Sequence, residues 1–188
     1  YQEKQAGGQT GIILSLVFIF VFLFLAALYE SWSIPIAVLL SLPVAALGAY
    51  IGIAVCGLEN DTYFQIGLVM LMGLAAKNAI LIVEFAKDET DAGVNVLKAT
   101  LHAARLRFRP ILMTSFAFIL GILPMVLASG PGSASRKAIG TGVFFGMLAA
   151  VFIGIQLIPF FFITIYKAKN RLQAKKGNKE QKAIAQQQ

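Results

Sequence analysis

Long apolar stretches separated by short polar joints dominate the chain. Five of them, at residues 12–29, 34–55, 63–85, 108–128 and 138–166, reach the roughly 20 residues a helix needs to cross a ~30 Å hydrocarbon core. Each is expected to be helical, because a lone spanning segment must satisfy its own backbone N–H and C=O groups. The fifth is longer than a straight crossing requires, which predicts tilt or a bend near Pro159. Pro43 and Pro124 also fall within spans and are expected to bend them. Gly48-x-x-x-Gly52 and Gly142-x-x-x-Gly146 read as places where helices approach closely.

The one sizeable joint, between the third and fourth stretches, has a pattern of its own. Asp88, Glu89, Thr90 and Asp91 offer helix N-cap residues. Val94, Leu97, Leu101, Ala104 and Phe108 then recur every three or four positions, while Lys98, His102, Arg105 and Arg109 share another face. This predicts an amphipathic helix over about 91–107 lying along the membrane surface, with Pro110 marking entry into the fourth span. His102 on its polar face reads as an ordinary solvated histidine. Residues 1–11 read as the end of an extracytoplasmic loop, and Gly130-Pro131-Gly132-Ser133 as a tight turn. The tail over 167–188 is basic, and its Lys- and Gln-rich end, 174–188, is expected to be disordered.

Composition agrees with a fold that is all-α and membrane-embedded: five transmembrane helices plus one interfacial helix. Hydrophobic residues make up 58% and charged residues 13%, with mean hydropathy +0.77, where a soluble domain carries about 25% charged residues. The net charge of +7 raises the question of nucleic acid. Seven of the sixteen Lys/Arg, however, lie between Lys167 and Lys182 with no aromatic among them. That arrangement suits anionic lipid headgroups and argues against base stacking. Counting Lys/Arg on each side places the C-terminus in the cytoplasm and Tyr1 outside. The chain opens on Tyr1 rather than Met, and is expected to be part of something longer. Cys56 is the single cysteine and can form no internal disulfide. No zinc spacing, phosphate loop or nucleophile–base pair is present, so an enzyme is the least supported class and no metal or organic cofactor is expected.

Against this background Lys77 stands out as a full charge inside a membrane-length segment. A cation at mid-bilayer depth costs roughly 2.5–3.5 kcal/mol and needs a compensating partner. Lys77 lies about 12 Å from the cytoplasmic end of its span and Thr114 about 9 Å from the same end of the next, at 1.5 Å per residue. The two spans run in opposite directions, so Lys77, Asn78, Thr114 and Ser115 are expected to form one buried polar layer. The bland alternative is that Lys77 snorkels and Thr114 bonds its own i−4 carbonyl. No acid lies well inside a span; Glu84 and Glu30 sit at interfaces. The missing counter-charge must come from water, from a long rearrangement or from helices outside this chain, and the last is the expectation favoured.

The residues themselves have a family look. The block from Gly73 through Lys77-Asn78 to Lys87 resembles the tenth span of resistance–nodulation–division efflux pumps, in their AcrB-like hydrophobe/amphiphile multidrug branch. Arg107-Phe108-Arg109-Pro110-Ile111-Leu112-Met113-Thr114, continuing to Pro124, resembles the eleventh. Tyr29 to Pro35, Gly130 to Ser133 and Gly140-Thr141-Gly142 are similar to flanking family segments, so the likeness runs to about Tyr166. It implies the last five spans of a twelve-span inner-membrane permease that exports drugs in exchange for protons. It further implies a homotrimer, with a periplasmic adaptor and an outer-membrane channel as partners. The family's proton relay maps onto Lys77, Asn78, Thr114 and Arg107; its two aspartates on the fourth span have no counterpart here. Protons are then the coupling ion. A protein-translocating or lipid-exporting relative, or a purely structural membrane subunit, are the competing expectations.

Overall fold

A computed structural model of the chain describes residues 2–29, 32 and 34–185. Its first helix, α1 (Gln2–Tyr29), begins earlier than the apolar pattern predicts. Residues expected to close a loop are helical instead, the helix formers at residues 2–6 being carried into the apolar run through Gly7, Gly8 and Gly11. The second apolar stretch is divided into α2 (Ile34–Leu39) and α3 (Leu42–Val55). The cause is Pro43, which has no N–H to return to the Leu39 carbonyl and whose ring crowds it. The Ser41 hydroxyl donates to the Val38 carbonyl at 2.6 Å, beside the Ser41 N–H at 3.1 Å, and closes the joint between the two helices.

Helix α4 (Thr62–Asp91) starts where the Asp61 carboxylate accepts the Phe64 N–H at 2.7 Å. It turns back through Ala92–Asn95 into α5 (Val96–Val126), capped by the Asn95 side chain on the Leu97 N–H at 3.0 Å. Here the structure departs from the sequence pattern. The predicted surface helix and the predicted fourth span are a single helix that runs straight through Pro110 and Pro124. The buried residues of α5 explain why: Ala99, Thr100 and Ala103 before Pro110 and Ile111, Ser115, Ile119 and Ile122 after it lie on one face, joined across the gap by half-buried Arg107. Continuous packing outweighs the roughly 3 kcal/mol that a proline costs within a helix. The Val94, Leu97, Leu101 and Phe108 positions that the periodicity selected are exposed.

The last apolar stretch is α6 (Ser133–Ala149), a π-helical segment at Ala150–Gly154, and α7 (Ile155–Ala185). The irregularity anticipated at Pro159 is accommodated just upstream, since the carbonyl left without its donor is that of Ile155, the first residue after the π segment. The basic tail, expected to be disordered, continues α7 as helix to Ala185, in keeping with its Ala, Lys and Gln content.

Close approach of α3 and α6 organises one end of the bundle. A Cβ at Gly48 would overlap that of Ala149, and one at Gly52 would lie 2.5 Å from the Cβ of Phe145. The two glycine pairs thus serve the packing role their spacing suggests. Around them gather Leu42, Ala45, Phe64, Leu68, Leu71, Ile119 and Val143. A second apolar cluster, with Leu25, Val38, Ile82, Val83, Ile111, Ile158 and Phe162, fills the other end. Four helical units are long and apolar enough to cross a membrane: Ile34–Val55, Thr62–Asp91, Val96–Val126 and Ser133–Asn170. The apolar part of α1 within the described residues, Ser15–Tyr29, is shorter. There is no strand among the described residues. The chain is an all-α membrane protein.

Candidate functional site

Lys77 lies close to the midpoint of α4, a helix of 30 residues, and so about 22 Å from either end at 1.5 Å per residue. The inward stripe of α4 is Phe64, Leu68, Leu71, Ala75, Asn78, Ile82 and Ala86, with neighbours one position away. Its outward stripe is Ile66, Met70, Gly73, Lys77, Glu84 and Asp88. Successive residues on an α-helix are about 100° apart, so Lys77 and Asn78 cannot share a face. Asn78 takes the inward place.

Asn78 is 8% exposed and its amide Nδ2 donates to the Ser115 hydroxyl, itself 2% exposed, at 3.3 Å. This pair sits at the junction of the two apolar clusters, with Ala75, Ala76 and Ile119 on one side and Ala79, Ile82 and Ile111 on the other. Leaving either partner buried without the other would cost about 1–3 kcal/mol. On α5 the same alternation recurs: Ser115 points in, and Thr114 beside it is exposed. The Thr114 hydroxyl lies 3.2 Å from the Pro110 carbonyl and 3.1 Å from that of Ile111, and donates back to its own helix.

The single buried layer of four polar residues is therefore corrected to two layers. Asn78 and Ser115 are tied together inside, whereas Lys77 and Thr114 stand outside on the open faces of the same two helices. The physical reason is the 100° step, which forces adjacent polar residues apart whenever one of them occupies a seam. Among the described residues Lys77 forms no ion pair. Glu84 lies seven residues further along its stripe, about 10 Å away along the axis.

Arg107 is not drawn into this layer. It is half-buried nearer the α4–α5 turn, its guanidinium carbon 5.5 Å from the centroid of the Phe85 ring, a cation–π contact worth about 0.5–2 kcal/mol. Next along the seam, Nδ1 of His102 lies 2.5 Å from Oε1 of Glu89. His102 is solvent-facing as its polar face predicts, but its pairing with Glu89 goes beyond that reading. The signal was present: Asn78 and Ser115, Phe85 and Arg107, and Glu89 and His102 are each centred near Val96, so one antiparallel register accounts for all three pairs. No group of His, Cys, Asp and Glu among the described residues can hold a metal ion.

Residues 1–166 match the AcrB/AcrD/AcrF family. The chain belongs to that family. It is 53% identical over 165 residues to the toluene efflux pump membrane transporter TtgB of Pseudomonas putida, and 49% identical over 166 residues to the multidrug export protein AcrF of Escherichia coli. It is also 46% identical over 179 residues to the solvent-resistant pump membrane transporter SrpB of Pseudomonas putida. These likenesses cover 88%, 88% and 95% of the chain but 16%, 16% and 17% of the relatives. The chain thus spans about a sixth of the length of the AcrB-family proteins it matches. The block that carries Lys77 and the block that carries Thr114 both fall within the matched residues.

Proposed function

We propose that the chain supplies the C-terminal membrane part of a proton-driven antiporter that exports hydrophobic or amphiphilic compounds. In this reading Lys77 and Thr114 carry the proton relay, with Asn78 and Arg107 beside them. The observation that carries it is Lys77 itself: a cation at mid-helix depth, on an outward stripe, with no ion-pair partner among the described residues. An ammonium there is tolerated only if an acid or water-filled cavity meets it. The acid belongs on helices of the same permease outside this chain. The printed names of TtgB, AcrF and SrpB, all pumps or export proteins, support an efflux role over protein translocation, lipid export or a scaffolding part.

The chemistry is electrostatic. While the facing acid is ionised, low dielectric holds Lys77 against it. A proton on that acid cancels the attraction, and the Lys77 ammonium turns to other acceptors such as the Thr114 hydroxyl. Helix α4 shifts relative to the acid-bearing helix, and the shift is passed on to the drug sites. The setting is a bacterial inner membrane, with the basic tail in the cytoplasm. The partners are a trimer of the permease, a periplasmic adaptor and an outer-membrane channel. In the complete permease Lys77→Ala is expected to abolish drug efflux from energised cells at unchanged protein level. Efflux at the wild-type rate in that variant overturns the reading.

A further inference from the structure

We infer that Ser115 is a positioning residue for the relay: by holding the Asn78 amide in the α4–α5 seam, it sets the rotation of α4 that keeps Lys77 outward and level with Thr114. This rests on the relay proposed above. Buried Phe64, Leu68, Leu71 and Ile82 seat α4 above and below, but at the level of the pair the seam has no such anchor on α4. On α4 it is lined by Ala75, Ala76 and Ala79, short side chains that slide past a neighbouring helix. Gly73, one turn away on the outward stripe, would meet nothing within 4 Å even if it carried a Cβ. A second side-chain contact between α4 and α5, Glu89 with His102, lies at the exposed end of the hairpin, where water competes for it.

A rotation of α4 by one residue step would bring Lys77 into the place of Asn78. While Lys77 is attracted to an ionised acid, that attraction itself resists such a turn. Once a proton has cancelled the acid's charge the attraction is gone. The buried Phe64, Leu68, Leu71 and Ile82 still hold the helix as a whole, and at the level of Lys77 the amide–hydroxyl bond is the directional contact that holds the local register. Because the bond lies between two apolar clusters, it sits in a low-dielectric setting where it counts for more than at the surface. Ser115 touches no transported species in this scheme. It acts through Asn78 on the direction in which Lys77 points.

The test uses everted vesicles carrying the complete permease, with drug transport and the accompanying proton flux measured together. Ser115→Ala removes the hydroxyl with almost no change of shape. It is expected to lower the drug moved per proton at least threefold, because a lysine free to swing answers protons without moving the helix. The double variant Asn78→Ser with Ser115→Asn, which rebuilds the bond with its ends exchanged, is expected to recover most of that ratio. A merely structural role would lower both fluxes in proportion and leave the ratio at the wild-type value. That result, or an unchanged Ser115→Ala, overturns the inference. Should Ser115→Ala fail to accumulate, Ser115→Cys is read in its place with the same expectation. Lys77→Ala serves as the second arm. If it transports normally, the relay reading falls; if it is dead while Ser115→Ala keeps its ratio, only the positioning role falls.

Discussion

Two neighbouring pairs, Lys77 with Asn78 and Thr114 with Ser115, each place one polar group in the seam and the next outside it. The inner bond stabilises the hairpin, while the outer groups are left for partners beyond it. Asn78→Ala would strand the Ser115 hydroxyl in apolar surroundings, so a loss of about 1–3 kcal/mol is expected. It is checked by thermal unfolding of the purified protein in detergent, compared with the wild type. The place of Lys77 within an apolar helix was legible in the sequence because a charge within a long apolar run is rare and costly. Which of two adjacent polar residues turns inward was not, since the apolar residues around both leave the rotation of α4 open. Likewise, His102 could be placed on a polar face, but its contact with Glu89 depends on the hairpin register.

Among the elements, the apolar runs foretold the helices well and their ends poorly. Pro43 divides α2 from α3, yet Pro110 and Pro124 lie within an unbroken α5. The difference is packing. Residues on both sides of Pro110 bury against the same neighbours, and that continuity has no signature in local propensity or period. The glycine spacings were more informative, because close approach leaves room for no side chain. Gly52→Leu would drive a side chain into Phe145 where α3 meets α6, and overpacking of this kind costs about 1–3 kcal/mol. A lower unfolding temperature at unchanged helical content is the expected outcome, read by circular dichroism in detergent.

At the scale of the molecule, the two apolar clusters meet at the Asn78–Ser115 bond, and much of the remaining surface is apolar and exposed. Phe20, Trp32, Val55 and Leu120 each expose more than half of their surface, as suits faces that meet lipid or other membrane helices. Lys77 lies within that outer surface rather than in a core of the chain's own. The chain belongs to the AcrB/AcrD/AcrF family and spans a sixth of the relatives it matches, and the proposed relay sets this open face of α4 against other helices of the same permease. The most direct test is labelling of the intact permease with a membrane-impermeant amine reagent, applied from each face in turn and read by mass spectrometry. The account predicts that Lys77 stays unmodified from both sides while Lys87 and Lys98 react. Modification of Lys77 at the rate of Lys98 would contradict it.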